Sequence, residues 1–111
     1  MSDPGSIRAE QFKIEIKASL ERLRGAIRSR VHPREQGSFL DVVDRIQESV
    51  LGNAGNTHEQ VQTTIQLSRD TTRRILRTKP VVMVELLNEL DGIEKEVAEL
   101  FQLLTRGPEG S

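Results

Sequence analysis

Between Leu86 and Leu104 the apolar residues Leu86, Leu90, Ile93, Val97, Leu100 and Leu104 fall four, three, four, three and four apart. That spacing sets six aliphatic side chains along one stripe of an α-helix. A stripe of this kind leaves water only by packing against other helices. Three more stretches carry the same kind of pattern: Phe12, Ile16, Leu20, Leu23 and Ile27; Phe39, Val43, Ile46 and Val50; and Val61, Ile65, Ser68, Thr72 and Ile75. The third has Ser and Thr at two of its five inner positions, so it is the weakest apolar seam and admits a close neighbour. Val81-Val82-Met83-Val84 has strand composition, but a lone strand has nothing to pair with. The fold class read from the sequence is therefore all-α, a small antiparallel helical bundle.

Punctuation sets the expected boundaries. Pro33 pushes His32 away from helical angles, so the first helix should stop near Val31, with Lys13, Lys17, Glu21, Arg24 and Arg28 on its outer face. His32 to Gly37 reads as a loop, and Ser38 with Asp41 as the cap that opens the second helix. Leu51-Gly52-Asn53 should end it in left-handed C-cap geometry, with a turn to Asn56. Thr57 with Gln60 is a capping box for the third helix. Pro80 leaves two alternatives. Either it is the first helical residue of a fourth helix after a tight hairpin, or residues 57–105 form one long helix kinked there. Gly107-Pro108 should end the last helix, and Gly92 inside it marks a close contact or a weak point costing roughly 1 kcal/mol relative to Ala. Residues 1–5 and 106–111 read as flexible tails around one bundle domain spanning 6–105. The bundle then has four helices, or three segments with a long Pro-kinked last helix.

With 111 residues, the chain is long enough to bury a core without staples. It contains no Cys, which excludes disulfides, thiolate zinc sites and thiol catalysis. No apolar run approaches the ~20 residues of a membrane span, and the first residues lack the apolar core of a signal peptide. A cytoplasmic setting is the default expectation. The formal net charge is −1, which gives no overall pull toward a polyanion. That near-neutrality hides alternation. Residues 1–40 hold eight basic and five acidic side chains, 41–60 one and four, 61–80 five and one, and 81–111 two and seven. Such blocks suit a bundle whose neighbouring helices attract one another.

Motifs for chemistry are missing. His32 and His58 have no second His at helical spacing, and no HExxH, phosphate-binding glycine loop or nucleophile elbow occurs. The two His read as exposed loop or cap residues. Glu85, Glu89, Glu96 and Glu99 form a row beside the seam, better suited to ion pairing than to metal binding. No catalytic residue, metal site or cofactor is expected.

Two surfaces stand out instead. Val81, Val82, Val84 and Leu87 make the start of the last helix apolar nearly all round, Phe101 and Leu103 broaden its far end, and Leu67 points away from the third seam. These seven residues suggest helix-on-helix docking with a partner, a second copy being the simplest supply. The expected function is a non-catalytic interaction module such as an adaptor, assembly factor, chaperone or regulatory subunit, acting as a homodimer or on another protein. The alternative is nucleic-acid or anionic-surface binding through Arg69, Arg73, Arg74 and Arg77, with Lys13, Lys17, Arg24 and Arg28 of the first helix as further candidates. Against it, an antiparallel hairpin would set Arg73 level with Glu85 and Arg69 level with Glu89, pairing the row away.

Overall fold

A computed structural model describes residues 4–52 and 57–106. The expected turn at 53–56, the stop at Gly107-Pro108 and the outermost tail residues lie outside them. Four helices occupy the rest: α1 Pro4–Arg30, α2 Pro33–Leu51, α3 His58–Ile75 and α4 Pro80–Arg106. Each packs on its neighbours in chain order, and α4 closes the ring against α1. Ion pairs between α1 and α4 and between α3 and α4 run antiparallel, which makes this an up-down-up-down four-helix bundle. It measures 51 × 22 × 22 Å.

The apolar stripes meet at the centre. Ile16, Leu20, Leu23 and Ile27 of α1 face Phe39, Val43, Ile46 and Val50 of α2, Val61 and Ile65 of α3, and Leu86, Leu90, Ile93, Val97 and Leu100 of α4, all buried. Each fully buried Leu or Ile stabilises by roughly 1.5–3 kcal/mol. Leu104, the last residue of the α4 seam, is half exposed. The α3 seam is shifted at its end: Leu76, just past the helix, is buried where Ile75 is only half-buried. Ser68, Thr71 and Thr72 are also buried. The Ser68 and Thr72 hydroxyls donate to carbonyls one turn back in their own helix, Thr64 and Ser68.

The Pro80 alternative resolves as a hairpin. Helix α3 ends on Leu76, whose N–H donates to the Thr72 carbonyl, and Lys79 N–H closes the turn on the Leu76 carbonyl at 2.8 Å. Pro80 then opens α4, where its missing N–H costs nothing.

Three expectations at helix ends and faces need correction. Helix α2 begins at Pro33, not after Ser38. His32 is its N-cap, extended at φ −59° and ψ 137° as a residue before proline must be, and its Nδ1 accepts from the Arg34 N–H. Proline at the first helical position outweighed the weaker Ser-Asp signal. Gln36, now helical, donates to the Arg28 and Val31 carbonyls and so caps the end of α1. The stop after α2 is real, but Gly52 is extended (φ −78°, ψ 178°), not left-handed. Glycine is needed there for a different reason: a Cβ would strike the Glu48 carbonyl oxygen. Gly92 is exposed with open space around it, so it is no close-contact site.

Candidate functional site

The side chains that hold the helices in register also decide which charges remain free. Arg24 of α1, expected on the outer face, is buried. It donates to Glu21, to Asp44 and to Gln47 of α2, each at 2.7 Å. On the other flank of α1, Arg30 pairs with Glu85 at 3.0 Å, Arg22 approaches Glu89 at 4.0 Å, and Ser19 donates to Glu96 at 2.7 Å. The glutamate row beside the α4 seam therefore faces α1.

That arrangement corrects the expected α3–α4 pairing. Arg69 does not meet Glu89. It donates to Asp91 at 2.7 Å and to Glu94 at 2.5 Å, on the opposite flank of α4. Its side chain is 12% exposed, and the hydrogen bonds it donates to Glu94 hold its pKa above the ordinary arginine range. Arg69 thus leaves the candidate anion-binding row. Arg73 reaches Asp70 of its own helix at 3.6 Å instead of Glu85.

Arg74 and Arg77 are exposed and have no carboxylate partner among the described residues. The fold brings them company: Arg28, already a candidate, the neighbouring Lys79, and Arg34, which the sequence did not suggest. In an up-down-up-down bundle, the α1–α2 corner and the α3–α4 hairpin lie at the same end. The Arg30–Glu85 pair ties them together directly. Arg28 and Arg34 from the corner and Lys79 from the hairpin are likewise exposed and unpaired among the described residues. Residues 28–36 and 73–85 together hold seven basic and two acidic side chains, and the rest of the chain nine and fifteen. One acid at this end, Glu85, is already committed to Arg30; the other, Glu35, is half-buried in the first turn of α2. The bundle is thus electrically polar along its axis. Its far end carries Glu10, Glu15, Glu48, Glu59 and Glu99 against Arg8, Lys13 and Arg106.

The seven expected docking residues divide. Val81, Val84 and Leu67 are exposed, at 70%, 51% and 43%. Val82, Leu87, Phe101 and Leu103 are partly buried and pack against the core of their own bundle. Val82 and Leu103 share the flank of α4 that carries the row facing α1, and Leu87 and Phe101 the flank that carries Glu94. Leu67 sits on α3, apart from the two exposed valines at the start of α4.

His58 is a further correction. It is half-buried, stacked on Phe101 with ring centroids 5.0 Å apart, and its Nε2 is buried without a hydrogen-bond partner. The aromatic at the far end of α4 was the one available signal, since a hairpin about Pro80 brings Phe101 back to the start of α3. Among the described residues, no three His, Asp or Glu side chains converge to hold a metal ion. No helix among them is long and apolar enough to cross a membrane.

Comparison of the chain with models of known protein families, with curated proteins and with solved structures finds no match.

Proposed function

We propose that this chain is a non-catalytic interaction module whose contact surface is the arginine-rich end of the bundle and whose ligand is anionic. One observation carries the reading. Arg28, Arg34, Arg74, Arg77 and Lys79 come from two segments some forty residues apart, converge on one end about 22 Å across, and keep their charges unpaired among the described residues. Away from this end, Arg24 and Arg69 are paired with carboxylates. Like charges gathered without counter-charges raise the potential over that face and draw in anions. Retention on immobilised heparin tests the reading. The chain should bind at low ionic strength and elute as salt rises, and neutralising Arg34, Arg77 and Lys79 together to Gln should move elution to lower salt. Flow-through at low ionic strength overturns it.

The exposed apolar side chains favour a second reading. Val81 and Val84 stand in water on a bundle whose own core is closed, and helix-on-helix packing with a second copy would cover them. Sedimentation equilibrium over a wide concentration range should then show a dimer, and Val81→Glu with Val84→Glu should return a monomer of unchanged helicity. A monomer at the highest concentration overturns the dimer.

A further inference from the structure

The cationic end also carries apolar side chains, and the two together narrow the ligand. Val81 is the second residue of α4 and Val84 lies one turn further, so both belong to the end that bears Arg77 and Lys79. Pro33 and Pro80, the first residues of α2 and α4, are exposed at the same end. Phosphates on a nucleic-acid backbone offer nothing to an aliphatic side chain. Bases offer stacking, yet all three Phe are taken up by the bundle: Phe39 is buried, and Phe12 and Phe101 are partly buried against the core. The end is made of two short corners, with no helix or strand projecting to enter a groove. A surface of anionic headgroups over acyl chains satisfies both kinds of side chain, because cations take the phosphates and carboxylates while valines enter the apolar boundary.

We propose that the arginine-rich end docks on a membrane surface rich in anionic phospholipid, with Arg28, Arg34, Arg74, Arg77 and Lys79 at the headgroups and Val81 and Val84 turned toward the bilayer. This rests on the anion-binding reading above and assigns the two valines to lipid and not to a second copy. The bundle stands on its end, with its 51 Å axis away from the surface. Contact is peripheral, reversible and sensitive to salt, since charges near the surface are screened within a Debye length.

The test is co-sedimentation of the full chain with vesicles of phosphatidylcholine alone and of phosphatidylcholine with one quarter phosphatidylserine, at low and high salt. Binding is expected only on the mixed vesicles and only at low salt. Each basic residue near such a surface contributes about fivefold, so Arg77→Gln with Lys79→Gln should weaken binding about 25-fold. Val81→Ser should weaken it severalfold while leaving heparin retention unchanged. Lys13→Gln with Lys17→Gln, away from this end, should have no effect. All these positions are at the surface or half-buried, and circular dichroism should show unaltered helicity. No binding to the mixed vesicles, with heparin retention intact, overturns the lipid assignment and leaves the anion-binding reading standing. Loss of both overturns both. Tighter binding to a short duplex RNA than to the vesicles, indifferent to Val81→Ser, overturns the lipid assignment in favour of a nucleic acid.

Discussion

Arg69 and Arg73 lie one turn apart on α3 and differ in what their removal would cost. Arg69 is nearly buried and serves two carboxylates of α4, whereas Arg73 is half exposed and reaches one carboxylate of its own helix. Arg69→Ala should lower the unfolding free energy by about 1.5–3 kcal/mol, because it leaves a half-buried Glu94 without its charged donor. Arg73→Ala should stay within about 0.5 kcal/mol, as exposed pairs do. Urea denaturation of the two variants beside the parent reads both values. The sequence could show a row of arginines at every fourth position, but not which of them faces inward. That depends on the rotation of α3 against α4. The same limit applies to Arg24, whose long side chain left the outer face to join α2. Thr72 illustrates the converse. Its hydroxyl bonds only within its own helix, and the side chain is buried among the apolar residues of the core. Thr72→Val exchanges a buried hydroxyl for a methyl and should raise the thermal midpoint by a few degrees; a fall would mean that the hydroxyl matters to the core.

At the scale of the helices, periodicity found all four apolar stripes and most of the core, missing Ala9, Val31, Val42 and Leu76, and left open whether the last two stripes lay on one kinked helix or two. Repeating apolar spacing reports burial directly, whatever the neighbours are. The helix ends were less legible. Thr57 and Gln60 cap α3 as expected, with both reciprocal hydrogen bonds formed. At α2 two start signals competed, and Pro33 prevailed because a helix begun there also places Gln36 against the open carbonyls of α1. That advantage is tertiary and has no trace in the local sequence. Glycines inside and outside the helices should respond in opposite ways. Gly92→Ala adds a methyl in open space and should stabilise by roughly 1 kcal/mol. Gly52→Ala sets a methyl against the Glu48 carbonyl oxygen and should destabilise. Thermal unfolding followed by circular dichroism distinguishes the two signs.

For the molecule as a whole, the block charges were visible in the sequence, but their meaning depended on topology. Two basic stretches separated by some forty residues count as separate until an up-down-up-down fold stacks their turns at one end. The acidic α4 was expected to neutralise α3, and it divides its carboxylates between α1 and α3 instead. What remains uncompensated is the corner charge, which neither net charge nor helix pattern reveals. The expected apolar docking face shrank for the same reason. Val82, Leu87, Phe101 and Leu103 look like surplus on a helix drawn alone, and they become flank packing once that helix has a neighbour on each side.

Antiparallel packing of α1 on α4 also brings two helix ends together at one pole. Pro4 and Arg106, the limits of the two longest helices, lie at the pole away from the two corners. Each of these helices has 27 residues, about 40 Å at the usual rise. A label carried at either of these two helix ends therefore sits about a full helix length from whatever the cations grip, and reports on that pole without touching the contact.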